Sequence, residues 1–265
     1  ERQLIEEFYE EWEQCAGYEQ YLQSVQETKN TLSTIGIFAG TQQDSFSARN
    51  VRKSAEDYAG LTGENICWMP GHGIVRAMEN VWTDILLLLS VFFFVGSLIL
   101  GEKEKKLFYI TRSTRYGMGR SIGSKLAALW IHCMTMTVLL YGMNLTFFGS
   151  LMGYGDLGAS LQSVAAWRES PLSITILSYL LLSIFTKGIV VFGFGALLTA
   201  FCIAADTVSL PYGIGLLLCG GSWFLYIVIP AASKGNLFKY LNLAGILKTE
   251  HFYGAYLNFD LFGYP

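Results

Sequence analysis

The residue of this chain that most clearly indicates a functional role is a lysine in the middle of an apolar segment. Lys187 interrupts the run 171–205, which carries no other charge. A cation at the centre of a membrane segment costs about 2.5–3.5 kcal/mol on insertion scales, so it normally faces protein or water. Two interpretations are open. One is a long tilted helix in which Lys187 faces a cavity or a partner, as a candidate for a translocation path. The other is an interfacial segment 171–186, from which Lys187 reaches outward, followed by a shorter span.

Motifs that would support catalysis or metal binding are weak. Gly119–Gly123 (GRSIG) matches the G-x-S-x-G nucleophile elbow, but it lies in a cationic loop, and the chain's three histidines lie elsewhere. His132, Cys133 and Met134 are adjacent, so a helix points them in different directions. The phosphate-cradling G-x-x-x-x-G-K-[ST] motif and the zinc motifs are absent from the sequence. We therefore predict no catalytic residue, no metal site and no ATPase in this chain.

Composition indicates the elements that must position these residues. Of 265 residues, 52% are hydrophobic and only 15% are charged, whereas a soluble domain carries about a quarter charged residues. The apolar excess lies after residue 80. A net charge of −3 without a basic tail excludes a nucleic-acid binder, and the charge deficit excludes an ordinary soluble enzyme and a disordered chain. The sequence predicts a membrane protein.

Four segments are long and apolar enough to cross a hydrocarbon core of about 30 Å. They span about 81–100, 126–149, 171–205 and 207–229. The fold class we predict is an all-α integral membrane protein, a polytopic bundle of four transmembrane helices with a small helical extracytoplasmic domain at 1–80. Within that domain, apolar residues spaced three and four apart predict one helix up to Val25, and 47–58 predicts a second.

The charge distribution predicts the orientation. Residues 102–125 hold seven basic and two acidic side chains, a net charge of +5, whereas 1–79 holds thirteen acidic and six basic ones. Basic short loops stay in the cytoplasm. We therefore place 101–125 in the cytoplasm and both 1–80 and 231–265 outside, where a disulfide between Cys15 and Cys67 is permitted but left open. Because the chain begins without Met, we expect an internal piece of a longer protein, with one further span on each side.

The loop Gly101–Lys125 (GEKEKKLFYITRSTRYGMGRSIGSK) combines an acidic-basic cluster, an apolar turn, a Thr/Ser-Arg turn and a Gly/Arg stretch. It resembles the inner loop of type-2 ABC exporter permeases. The span and return at Gly193–Gly215 are similar to that family, and Ser47–Tyr58 is similar to outer segments of its Gram-positive members. The resemblance implies a permease subunit in a bacterial cytoplasmic membrane, with the loop docked as a coupling helix on an ATPase.

The resemblance also implies residue roles and partners. The coupling contact would be an apolar centre ringed by charge, as interfaces commonly are. It would be formed by Glu102, Glu104, Leu107, Phe108, Thr111, Arg112, Arg115 and Arg120. ATP and Mg would be bound by the partner ATPase and no cofactor by this chain, which would pair with a second permease half, as a homo- or heterodimer, in the lipid bilayer. The alternative is an ABC-linked mechanotransmission or sensor subunit that transmits a signal without moving substrate. The sequence does not identify the substrate.

Overall fold

The computed structural model of this chain is mainly helical in the part it describes. That part comprises residues 12–13, 16–39, 46–61, 66–67, 69, 71–100, 117–205, 209–230 and 236–256. Within these residues there is no β-strand, only an isolated bridge between Ser160 and Thr175. The all-α prediction is therefore confirmed for the described chain.

The helices are numbered here in chain order. Three precede the first long apolar segment: α1 (Tyr18–Ala39), α2 (Phe46–Ala59) and α3 (His72–Met78). The long apolar helices are α4 (Val81–Val95, extended by a π-helical turn at Gly96–Leu100), α5 (Gly117–Met152), α6 (Ile176–Ala204) and α7 (Ser209–Val228). Three short helices follow: α8 (Asn236–Tyr240), α9 (Leu243–Leu247) and α10 (Glu250–Tyr253).

Four helical stretches among the described residues are long and apolar enough to cross a membrane. They are His72–Ile99, Gly119–Met152, Ile176–Ala204 and Leu210–Val228. The predicted number of spans is therefore confirmed at the level of length and composition. At 1.5 Å per residue, the 36 residues of α5 extend over about 54 Å, well beyond a hydrocarbon core of about 30 Å.

The ends of α5 differ from the sequence-based interpretation. The segment around Ser121 was expected to be a loop, but it lies in the first turns of α5. No proline interrupts 117–152, so the helix that the apolar segment nucleates continues through the polar turns before it. It ends where Gly153 adopts a left-handed φ of 89°, the usual backbone position of a glycine that terminates a helix.

The chain divides into two compact units. The first comprises residues 1–75, 151–181 and 250–265, and the second comprises 76–150 and 182–249. In the first unit, Tyr18 and Leu22 of α1 pack with Tyr58 and Leu61 around α2. The hydroxyl of Tyr58 donates to the Glu169 carbonyl over 2.6 Å, which ties α2 to the connection between α5 and α6.

The second unit is a helix bundle with close packing at several glycines, among them Gly195 and Gly215. A Cβ on Gly195 of α6 would lie 2.9 Å from Val91 and 3.1 Å from Leu129. One on Gly215 of α7 would lie 2.8 Å from the Phe92 ring. At each glycine at least one of these distances is too short for a Cβ, so the two glycines let α4, α5, α6 and α7 approach closely. A Cβ on Gly193, Gly213, Gly220 or Gly221 would meet no neighbouring atom within 4 Å.

Candidate functional site: a buried ion pair among three helices

Lys187 lies in the interior of α6 and is almost completely buried, with 1% of its surface exposed. Its ammonium nitrogen lies 3.3 Å from Asp84 Oδ1, 2.8 Å from the Tyr141 hydroxyl and 3.2 Å from the Met78 carbonyl oxygen. A lysine ammonium has three N–H donors, and three acceptors surround it here. The donors of Lys187 are therefore satisfied within the second unit.

Asp84 and Tyr141 complete the cluster from two other helices. Asp84 lies in the first turn of α4, is 2% exposed and accepts a short hydrogen bond from the Tyr141 hydroxyl of α5. The Tyr141 hydroxyl thus accepts from Lys187 and donates to Asp84, while the ammonium also lies 4.5 Å from the centre of the Tyr141 ring. Lys187, Asp84 and Tyr141 are hereafter the Lys–Asp–Tyr cluster.

The sequence around Asp84 explains why α4 begins where it does. The side chain of Asn80 accepts from the backbone N–H of Trp82 and caps the helix. The helix dipole favours a negative charge in the first turn, and Asp84 occupies that turn. The capped start of α4 therefore both positions and stabilises the carboxylate that faces Lys187.

A second set of hydrogen bonds supports the cluster one turn away. Asn144, three residues after Tyr141 on α5, donates to the Thr83 hydroxyl over 2.6 Å and to the Ala77 carbonyl over 3.1 Å. These bonds tie α5 to the junction between α3 and α4. On α6, Ser183 lies one turn before Lys187 and is buried; within the described chain its hydroxyl has no hydrogen-bond partner.

Lys187 and Tyr141 lie at similar distances from an end of their helices, whereas Asp84 lies in the first turn of α4. Lys187 is eleven residues after the start of α6 and Tyr141 is eleven residues before the end of α5. At 1.5 Å per residue, each lies about 16 Å from that helix end. That distance is about half of a hydrocarbon core of about 30 Å. The ammonium of Lys187 therefore lies at a depth where an unpaired ion is expensive, and Asp84 supplies its counter-charge.

The arrangement is suited to fixing helices rather than to bond chemistry. Removing one member of a buried ion pair leaves an uncompensated charge, at a cost of about 3–5 kcal/mol. The pair therefore opposes any sliding of α4, α5 and α6 that separates its members. Among the described residues, no group of three or more His, Cys, Asp or Glu side chains is placed to hold a metal ion.

Of the site residues predicted from sequence, the structure describes only Arg120 and Lys187. Glu102, Glu104, Leu107, Phe108, Thr111, Arg112 and Arg115 lie outside the described residues. Arg120 is described and lies exposed in the first turns of α5. Lys187 alone among the predicted residues belongs to the buried cluster. Its helix is continuous from Ile176 to Ala204, as in the first of the two interpretations of this lysine.

Other residues singled out by sequence lie apart from the cluster. Cys15 is outside the described residues, while Cys67 is a free and exposed thiol. The ring of His132 stacks on Phe94 with 4.1 Å between ring centres, a packing arrangement within the bundle. Gly119 and Ser121 are helical, so the strand-to-helix turn that a nucleophile elbow requires is absent from this described stretch.

Asp84, Tyr141 and Asn144 are the residues that sequence reasoning missed. Asp84 lies inside the predicted first span, 81–100, but no role was predicted for it. The available signal was that spans 81–100 and 171–205 each contain one charged residue, and the two are opposite in sign. Opposite charges within membrane segments commonly pair with each other. No comparable signal marked Tyr141 or Asn144.

Comparison with known proteins gives no relative on which to base a function. No protein-family model, no curated protein and no solved structure matches this chain.

Proposed function

We propose that this chain is a permease subunit of an ATP-binding cassette transporter, of the type-2 exporter class, in a bacterial cytoplasmic membrane. A separate ATPase would bind ATP and Mg and hydrolyse ATP, and a second permease half would complete the membrane domain. The single observation that carries the proposal is the position of segment 101–116. This segment, in a loop of net charge +5, joins two helices that are each long enough to cross the membrane.

The length of α5 supports a coupling role for this loop. Its 36 residues exceed what the hydrocarbon core requires by about 24 Å, and they form one uninterrupted helix. The same helix begins directly after segment 101–116, carries exposed Arg120 in its first turns, and contributes Tyr141 to the Lys–Asp–Tyr cluster. A displacement of the loop by an ATPase would therefore be transmitted along a rigid element to the buried ion pair.

The proposed role of Lys187 in the translocation path depends on movement of the bundle. The ammonium is enclosed by Asp84, Tyr141 and the Met78 carbonyl, with almost no exposed surface. Substrate would reach it only in another arrangement of α4, α5 and α6. In our proposal, ATP-driven movement of α5 separates the cluster in one half of the cycle and re-forms it in the other.

The proposal is tested by purifying the full-length membrane protein from its host and identifying co-purified proteins by mass spectrometry. Leu107→Asp/Phe108→Asp places two charges in the apolar part of the loop. A matched control, Phe238→Asp/Leu241→Asp, makes the same chemical change at two exposed side chains after α7. We expect wild type and the control to retain an ATPase, and the loop variant to lose it. Recovery of no ATPase by wild type would contradict the proposal.

A second candidate function is a sensor or mechanotransmission subunit, and one feature of the first unit favours it. A cavity of about 510 Å³ is lined there by Tyr18, Tyr21, Arg168 and Glu169, among others. That volume is typical of small-molecule sites. A sensor would couple binding in this cavity to the partner ATPase without substrate movement. In proteoliposomes, Tyr21→Ala would then alter ligand-stimulated ATPase activity, and no substrate flux would accompany hydrolysis.

A further inference from the structure

An apolar groove runs between α6 and α7 in the second unit. Its volume is about 530 Å³, within the range of about 300–1,000 Å³ that is typical of ligand sites. Its two polar side chains, Ser222 and Asn242, are hydrogen-bonded to each other over 3.0 Å, so neither is left unsatisfied. The remaining wall, hereafter the α6–α7 groove, includes Gly193, Phe194, Leu197, Leu217, Gly221 and Leu225. A wall of this kind fits a hydrocarbon chain.

Two lysines gather beside the groove at the end of α7. Tyr226 lies one helical turn after Ser222, and its ring centre is 5.1 Å from the Lys239 ammonium and 5.3 Å from the Lys248 ammonium. Lys239 also donates to the Ile229 carbonyl over 3.0 Å. The carbonyl end of a helix attracts cations, which explains why one of the lysines is held there. The result is a local concentration of positive charge beside an apolar wall.

The segment that carries Lys239 has the composition of a membrane-interface segment. Phe238 and Leu241 flank this region and are 70% and 54% exposed. Aromatic and basic side chains are enriched where membrane proteins meet lipid headgroups. Since α7 is a membrane-length helix, its end and this segment are expected at that level of the bilayer.

We propose that this region binds one anionic phospholipid, with an acyl chain in the α6–α7 groove and the phosphate beside Lys239 and Lys248. A soluble anion would use the lysines but not the groove, and a neutral lipid would use the groove but gain less from the lysines. The pairing of an apolar wall with two cations fits a molecule that has both parts. This inference does not depend on the proposed ATPase partner.

Native mass spectrometry of the full-length protein in a non-ionic detergent tests the proposal. The protein is titrated separately with dioleoyl-phosphatidylglycerol and dioleoyl-phosphatidylcholine, which differ in headgroup charge but share their acyl chains. Each basic residue near an anionic lipid surface contributes about fivefold in binding. We expect one phosphatidylglycerol to be retained at a concentration at least severalfold lower than phosphatidylcholine. Equal retention of the two lipids would overturn the proposal.

Variants distinguish the contribution of the lipid headgroup to binding from that of the acyl chain. Lys239→Gln/Lys248→Gln should remove the preference for phosphatidylglycerol while leaving phosphatidylcholine retention unchanged. Gly221→Leu fills the groove and should lower retention of both lipids on the order of tenfold, because methylene groups lose their buried surface. Gly193→Leu fills the same groove from α6 and serves if Gly221→Leu does not fold.

The matched control is Gly220→Leu, on the residue next to Gly221. A Cβ at either position meets no neighbouring atom within 4 Å, but Gly220 does not line the groove. Gly220→Leu should therefore leave the retention of both lipids unchanged. A loss as large as that of Gly221→Leu would overturn the proposed groove. Unchanged retention of phosphatidylglycerol in Gly221→Leu and Gly193→Leu would also overturn it, because the acyl chain would then contribute nothing.

Discussion

Lys187 and Asp84 form a buried ion pair in which each is the counter-ion of the other. The first prediction follows from this dependence. Lys187→Met should lower the free energy of unfolding by about 3–5 kcal/mol, because Asp84 would remain buried without its counter-ion. Asp84→Asn should be similarly damaging. The double variant should lose less than the sum of the two, since no lone charge remains. Denaturant unfolding in mixed micelles measures all three; additive losses would contradict a coupled pair.

Tyr58 supplies a prediction about pH. Burial raises the pKa of its phenol above the ordinary value of 10.0, so the folded state keeps the proton when the unfolded chain has lost it. The contribution of Tyr58 to the free energy of unfolding is fully present below about pH 10. Above that pH it falls by about 1.4 kcal/mol per pH unit. As the pH rises above about 10, the free energy of unfolding of the first unit should therefore decline more steeply in wild type than in Tyr58→Phe.

Comparison with Tyr58→Phe isolates this residue from the other tyrosines. At pH 8 the variant should be less stable by about 0.5–1.5 kcal/mol, because it lacks the hydrogen bond to the Glu169 carbonyl. The difference should shrink above pH 10 and then reverse. Chemical unfolding followed by circular dichroism at several pH values measures it, and a difference independent of pH would show that Tyr58 ionises alike in both states.

At the scale of elements, the packing of α6 against α4 and α5 is set by Gly195. Gly195→Ala would bring a methyl group within 3.1 Å of Val91 and Leu129, so overpacking should lower stability by about 1–3 kcal/mol. Gly193→Ala, two positions away on the same helix, faces open space and should be neutral or slightly stabilising. Thermal unfolding in detergent compares the two. Equal effects would show that helix propensity, not contact, governs both sites.

The elements were largely predictable from sequence, whereas their pairings were not. Apolar runs of about twenty residues predicted the four membrane-length helices because length and hydropathy alone decide that property. The polar first turns of α5, from Gly117 onward, were missed because no proline separates them from the apolar segment. The bond between Tyr141 and Asp84 joins residues 57 positions apart, and no local pattern encodes it. Lys187 was identified because a charge in an apolar run is visible without knowing its partner.

At the scale of the whole molecule, the proposed orientation makes opposite predictions for two positions. The free and exposed thiol of Cys67 should react with a membrane-impermeant maleimide added to intact cells. Arg120→Cys, in a Cys15→Ser/Cys67→Ser background, should react only after the membrane is opened, because the loop 101–125 is proposed to be cytoplasmic. Labelling of residue 120 from outside, without labelling of Cys67, would contradict the proposed orientation and indicate the opposite one.

The most direct test of the central claim is a photo-crosslink from the loop in native membranes. Benzoylphenylalanine replaces Phe108 in the full-length protein, and replaces Phe238 in a matched control. Our account predicts that irradiation joins position 108, but not position 238, to a protein that mass spectrometry identifies as an ABC ATPase. Crosslinks from position 108 that reach only lipid, or a protein without a nucleotide-binding domain, would contradict it.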